Sequence, residues 1–321
     1  MGYIVARTER IAIIGAGMAG LTCARRLADA GYAPAVFDKG RGIGGRLATR
    51  RTPDGLQFDH GAQYATARSP DFEALLKQAR NAGAAALWAD GADQAHIVGT
   101  PGMSGLGKHL GQGLDIRQGI AVTGLNRVDD GWAVTFAGGA EVFDRVVVTV
   151  PAPQVSDLLG LEHPMSREVA AVRLDPCVTL MAAFDPLAPR PFITRADSDD
   201  PLTWIAQDSS KPDRQAPACW VAQASTVWST AHLELSPNAL VALMLPMLCD
   251  RLGTDVSTLR YAAAHRWRYA RVSVPLGRPF ARNRSGTLYA GGDWCLGPRI
   301  EAAWSSGEAI AQHILDASFS E

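Results

Sequence analysis

No stretch of about 18 consecutive apolar residues occurs in the sequence, so nothing in it reads as a membrane-spanning helix. The C-terminal AIAQHILDASFSE is amphipathic and too short to cross a bilayer. The opening MGYIVARTERIAIIGAGMAG lacks a charged segment followed by an apolar run and a small-residue cleavage site, the marks of a secretory leader. The expectation is a cytoplasmic protein with no membrane partner. An excess of charge of one sign is also missing: 31 Lys and Arg stand against 32 Asp and Glu, a formal net charge of −1. No long-range field therefore draws in nucleic acid or an anionic surface. Cysteine is sparse. Cys23, Cys177, Cys219, Cys249 and Cys295 are odd in number and scattered, without a C-x-x-C pair or a His-rich partner segment, which leaves no metal site and suggests free thiols. Internal repeats and low-complexity tracts are absent too.

What is present is an ordinary globular composition, 47% hydrophobic and 20% charged over 321 residues, enough chain for about two domains. Residues 11–14 form an apolar run, 15–20 a glycine turn, 21–30 a helical pattern and 35–37 a second apolar run. This is strand, turn, helix, strand. A polar, glycine-rich stretch covers 39–51, and a helix is predicted over 71–82, where Phe72, Leu75, Leu76 and Ala79 share one face. After GTPGMSG a helix carries Leu106 and Leu110. Alternation then marks strands around 121–122 and 132–136, Gly138 and Gly139 a hairpin turn, and DRVVVTVP a buried strand. Further on, CVTLMAAF and ACWVAQAS read as strands and SPNALVALMLPMLCDRLG as a helix interrupted by Pro246. GTLYAGGDW reads as a strand ending in a Gly-Gly-Asp turn, and 299–315 as a closing helix.

The strongest chemical signal is Gly15-x-Gly17-x-x-Gly20, with Ala19 inside it, because it follows an apolar run, opens a helix and is answered by Asp38 at the end of the next strand. Gly15 permits the turn, Gly17 lets a pyrophosphate approach the backbone, and Gly20 allows close helix–strand packing. The helix start offers free N–H groups and the positive end of the dipole. Asp38 can accept hydrogen bonds from ribose hydroxyls and repels a 2′-phosphate, so the ligand is FAD or NAD rather than NADP.

A second feature separates FAD from NAD. Gly44-Gly45-Arg46, five residues after Lys39 in DKGRGIGGRLATR, resembles the flavin amine oxidase superfamily, in which a second glycine pair and an arginine lie beside the FAD pyrophosphate. YAGGDWCLGPRIEAAWSSG resembles the same superfamily's late Gly-Asp turn and helix, which carries the turn onto Gly292 and Asp293 and the helix start onto Ile300, Glu301 and Ala302. Val122 is carried over as a further cofactor contact. A helix start beside the flavin would stabilise negative charge on its reduced ring. FDKGRGIGGRLATRR, FDHGAQYATAR, DPCVTLMAAF, QDSSKP, HRWRYA and GGDWCLGPRIEAAWSSG together resemble the renalase family, particularly its bacterial type, in order along most of the chain.

The resemblance implies an α/β chain: a Rossmann-like FAD-binding domain with an inserted α+β substrate domain containing an antiparallel sheet. The FAD-binding domain is expected over 1–70, 97–155 and 285–321, and the substrate domain over 71–96 and 156–284, with the active site where they meet. It further implies non-covalent FAD and oxidation of the 2- and 6-dihydro isomers of NAD(P), with O2 as acceptor giving H2O2. The expected partners are a small dinucleotide and O2. Two other functions are compatible with the residues: a flavin amine oxidase acting on another small C–H donor, and a dinucleotide-binding module without turnover. Hydride transfer from a dihydronicotinamide needs orientation more than acid–base groups, so no catalytic triad is expected. Gln63, Tyr64, His265, Trp267, Arg268 and Tyr269 are the candidate pocket residues, rings to stack on a nicotinamide and polar groups to hold its carboxamide or phosphate.

Four features invite over-reading. Gly102-x-x-x-x-Gly107-Lys108 begins like a P-loop, but His109 stands where Ser or Thr binds magnesium. Cys295 near the late turn suggests a covalent anchor, though a buried inert thiol is the commoner case. Lys211 matches the type of residue that aids the oxygen reaction in amine oxidases, with nothing in the sequence to place it. Asn283-x-Ser285 is a glycosylation sequon only in a secreted chain.

Overall fold

The computed structural model describes residues 9–214 and 217–317. They form two units. The first is built from the described residues within Met1–Gly45, Gly107–Arg173 and Val272–Glu321, the second from Arg46–Leu106 and the described part of Leu174–Arg271.

The first unit is organised by a six-stranded sheet in the order Phe280–Arg282, Leu288–Gly291, Arg145–Val148, Ile11–Ile14, Ala35–Asp38, Asp115–Gln118. Its pairings are parallel except for the first, which is antiparallel. The central strands are continuous apolar runs because both faces are covered: all four residues of Ile11–Ile14 and of Leu288–Gly291 are buried. Two helices, Met18–Asp29 and Ile300–Ala317, pack on each other. Their approach is so close that a Cβ on Gly307 would lie 2.3 Å from the Ala19 carbonyl oxygen. A three-stranded antiparallel sheet, Val122–Val128, Gly131–Phe136 and Gly139–Phe143, completes the unit.

The second unit contains a five-stranded sheet in the order Thr194–Ala196, Trp204–Gln207, Ala218–Gln223, Arg173–Phe184, Leu259–Val274. The first three pairings are antiparallel. One face buries Val178, Leu180, Ala182, Trp220 and Ala264 against Leu240, Met244 and Leu248 of the helix Pro237–Leu252. The other face buries Met181, Ala183, Cys219 and Val221 with Leu56 and Phe58. This two-sided burial follows from strand alternation. Each fully buried aliphatic side chain here contributes about 1.5–3 kcal/mol.

Pro246 does not interrupt its helix, contrary to the sequence expectation: Pro237–Leu252 is one continuous helix with the proline inside. Pro246 and Ala242, whose carbonyl loses its partner, both lie on the exposed side, where water can take that hydrogen bond. The segment 46–70 folds within the second unit, because it carries a short hairpin, Thr49–Arg51 with Gln57–Asp59, whose Phe58 packs on the sheet. Among the described residues no helix is long and apolar enough to cross a membrane.

Candidate functional site

The glycine turn of the first unit has the shape its sequence requires. Gly15, at φ 110°, donates its N–H to the Phe37 carbonyl at 2.7 Å. A Cβ on Gly20 would sit 2.0 Å from the Gly15 carbonyl oxygen and 2.7 Å from Thr149 Oγ1, so only glycine fits. Gly17 is the opposite case: a Cβ there would meet nothing within 4 Å. Gly17 caps the helix Met18–Asp29 without a side-chain hydrogen bond, and the first turn has no acidic residue. The leading N–H groups of a helix lack intrahelical acceptors, so this open end suits an anion.

Three other segments of the unit close around that turn. Gly44 donates to the Ala16 carbonyl at 2.7 Å and bridges to Gly17, and the Cβ position of Gly45 lies 3.3 Å from Gly17 Cα. Asp38 grips the turn with both oxygens, accepting from Ala16 N at 2.6 Å and Gly40 N at 2.7 Å. Ile120 donates to the Asp38 carbonyl at 3.0 Å, which brings the start of the strand at Val122 to the same edge. Lys39 is exposed, its ammonium 3.4 Å from Gln154 Oε1.

The late turn is equally fixed. Gly292 donates to Ser306 Oγ at 2.9 Å, and Trp294 Nε1 to the Val150 carbonyl at 3.0 Å. Asp293 is buried beside them. Ile300 opens the closing helix, with Glu301 and Ala302 buried in its first turn. Burial pushes the Cys295 thiol up to about 12, as befits an unreactive thiol. Gly107 is a packing residue, its Cβ position 2.9 Å from Gly44 Cα.

Arg46 lies in the second unit, where its guanidinium donates to the Ala270 carbonyl at 3.0 Å. The pocket candidates of that unit separate into four groups. His265, Trp267 and Tyr269 alternate along one side of the strand Leu259–Val274. Trp267 Nε1 donates to the His60 carbonyl at 2.7 Å, and the His60 ring lies 4.8 Å from that of His265 and 5.4 Å from that of Trp267. Arg268 points the other way and is exposed, bound through both nitrogens to Glu234. Tyr64 stacks on His96 at 3.5 Å, and His96 Nδ1 is 2.8 Å from Asp90 Oδ2. Burial raises the Tyr64 phenol, with Asp90 adding to the effect.

Gln63 is buried and internally committed. Its Nε2 donates to the carbonyls of Asp59 at 2.5 Å and Gly61 at 3.1 Å, and its Oε1 accepts from Lys211 at 3.3 Å. Lys211 belongs to a buried ion network that the sequence reading missed. Its ammonium lies 2.7 Å from Asp208 and 3.3 Å from Asp59, while Arg214 lies 2.6 Å from Asp59, all with side chains at most 1% exposed. Thr49 Oγ1 and Met103 N also donate to Asp59. Burial works to raise Asp59, but Lys211 and Arg214 hold it below the usual carboxylate range. Only the i, i+3 spacing of Asp208 and Lys211 hinted at this network.

Comparison with known proteins agrees with this geometry. Residues 13–79 match an NAD(P)-binding Rossmann-like domain, and residues 78–315 match the flavin containing amine oxidoreductase family. Renalase of Mus musculus is 27% identical over 301 residues, covering 83% of this chain and 86% of the mouse protein. The 15-cis-phytoene desaturase of Synechococcus elongatus is 39% identical over 69 residues, 22% of this chain and 15% of the desaturase. A triple mutant of putrescine oxidase has the same fold, with TM-score 0.74 and 16% identity, over 96% of this chain and 99% of that one. The uncapped helix start, the open space at Gly17 and the Asp38 clamp fit the phosphates and ribose of FAD. With three quarters of its length matched, this chain belongs to the flavin containing amine oxidoreductase family and is a renalase-like, FAD-dependent oxidoreductase.

Proposed function

We propose that the chain is an oxidase of isomeric dihydronicotinamide dinucleotides, the 2- and 6-dihydro forms of NAD(P), yielding NAD(P)+ and, with O2, H2O2. The observation that carries the reading is the likeness to mouse renalase along most of both chains. FAD, when bound, supplies the two-electron oxidant. Gly15, Gly17, Ala19 and Gly20 would hold its pyrophosphate and Asp38 its ribose. Val122, Lys39, Gly45 and the segments at Gly292–Asp293 and Ile300–Ala302 would complete the enclosure, and Arg46 is proposed to add positive charge nearby.

The chemistry of the second unit supports a planar, aromatic donor over an amine. His60 is pushed down to about 4 by burial, with His265 and Arg50 adding to the effect, and His265 is lowered by its own burial. Near neutrality these rings are uncharged and lie beside Trp267. A carboxylate is one group that stabilises a buried alkylammonium, and here the buried carboxylates Asp59 and Asp208 are already paired with Lys211 and Arg214. A dihydronicotinamide needs only a ring to stack on and donors for its carboxamide. Its loss of hydride is driven by aromatisation, so no side chain has to remove a proton from carbon. Tyr64, Trp267 and Tyr269 are proposed to line the substrate pocket, with His265 as a polar contact. Aerobic turnover tests this: equal amounts of NAD+ and H2O2 formed from 6-dihydro-NAD, and none from primary amines, support it. H2O2 formed from amines alone would replace it with the amine oxidase reading.

A further inference from the structure

In the second unit, the Arg50 guanidinium and one ring nitrogen of His60 have no hydrogen-bond partner among the described residues. Arg50 is half-buried on the hairpin strand Thr49–Arg51 and makes no salt bridge or hydrogen bond among the described residues. Five other cations of this unit are engaged: Arg214 and Lys211 with Asp59, Arg46 with the Ala270 carbonyl, Arg266 with the Leu233 carbonyl and Arg268 with Glu234. His60 is 7% exposed, and its Nδ1 has no hydrogen-bond partner. A buried imidazole nitrogen left this way costs stability unless something completes it.

The surroundings say what would complete it. His60 lies edge-on to His265 at 4.8 Å and against Trp267 at 5.4 Å, and His265 lies 4.3 Å from Trp267. Arg50 pairs with Phe58 across the hairpin, two residues before His60, so strand alternation puts it on the same face as both, and its charge disfavours a second positive charge on His60 or His265. The nearby carboxylate, Asp59, is already saturated by Lys211, Arg214, Thr49 and Met103. The cluster is thus one fixed cation and two ring donors with no anion of their own. An anion with several acceptor oxygens would satisfy all three at once, by charge-assisted bonds to the guanidinium and to imidazole N–H groups.

We propose that Arg50, His60 and His265, with Trp267 beside them, form a subsite for a phosphate group carried by the ligand. On the dinucleotide reading of the function, on which this assignment rests, that phosphate is part of the substrate, and Trp267 supports the attached sugar or base.

Calorimetric titration of the FAD-loaded enzyme tests the subsite without turnover. The probes are nicotinamide mononucleotide, nicotinamide riboside, which lacks only the phosphate, and inorganic phosphate. The wild type is expected to bind the mononucleotide at least tenfold more tightly than the riboside. Arg50→Ala should reduce that ratio to about one, and Arg50→Lys should restore part of it. Should Arg50→Ala fail to fold, His265→Asn is expected to lower the ratio in the same direction. Inorganic phosphate that competes with the mononucleotide supports the subsite. If inorganic phosphate binds in an Arg50-dependent way while neither nucleotide binds, the subsite stands and the dinucleotide reading falls. Equal affinity for mononucleotide and riboside in the wild type, with no Arg50-dependent phosphate binding, or a ratio that survives Arg50→Ala, overturns the proposal.

Discussion

The Lys211 ammonium lies 2.7 Å from Asp208 Oδ1 inside a pocket that leaves neither side chain accessible. With Arg214 and Asp59 it makes a neutral quartet, and it also donates to Gln63. Lys211 is therefore a structural cation here. Replacing it by methionine leaves two carboxylates facing one guanidinium, and breaking a buried pair typically costs about 3–5 kcal/mol. Urea denaturation of Lys211→Met should show a loss of that size. A variant as stable as the wild type, slowed only in its reaction with oxygen, would contradict this assignment.

Gly17 and Gly20 are expected to respond in opposite ways to the same added methyl. In Gly17→Ala the methyl has open space, so the apoprotein should melt at the wild-type temperature while FAD binds at least tenfold more weakly. In Gly20→Ala the methyl collides with the Gly15 carbonyl, and overpacking of this kind costs about 1–3 kcal/mol. Melting curves and FAD titrations on both variants separate the effects. Equal destabilisation by the two substitutions would be wrong for this geometry.

His60 gives a pH dependence whose sign is fixed by its burial. Its pKa falls from the usual 6.5 to about 4 on folding. Between those values the unfolded chain holds a proton that the folded chain does not, so stability is complete above pH 6.5 and declines as pH falls toward 4. The full loss is roughly 3 kcal/mol. In phosphate-free buffer, His60→Phe should flatten this part of the stability curve. An unchanged slope would mean that His60 is not held neutral.

Arg268 was a pocket candidate by its place in HRWRYA, but strand alternation turns it away from Trp267 and toward Glu234 in solvent. Arg268→Ala should leave both the melting temperature and kcat/KM unchanged within error. A tenfold fall in kcat/KM would return Arg268 to the substrate pocket.

The contrast between Gly20 and Arg50 shows which information the sequence carried. The glycine turn, Asp38, the Gly-Gly-Asp turn and the closing helix were legible because each obeys a short-range rule: a turn needs φ > 0, a close approach excludes a side chain, a helix follows its period. CVTLMAAF and ACWVAQAS were legible as strands because they are apolar runs, whereas their antiparallel sheet was implied only by the family resemblance. The Asp59–Lys211 pair joins positions 152 apart, and no local pattern encodes such a pair. Arg50 lay in the polar stretch 39–51 and His60 in the motif FDHGAQYATAR, and only the hairpin Thr49–Arg51 with Gln57–Asp59 brings the two segments together. Pro246 was misread because its tolerance depends on which side of the helix meets water.

The central claim is that this renalase-like flavoprotein oxidises dihydronicotinamide isomers. Its most direct measurement is anaerobic stopped-flow mixing of the FAD-loaded enzyme with one equivalent of 6-dihydro-NAD, followed at the flavin absorbance maximum. Bleaching within seconds and release of one equivalent of NAD+ are expected. A flavin that stays oxidised with this compound and its 2-dihydro isomer, but is bleached by an amine, would contradict it.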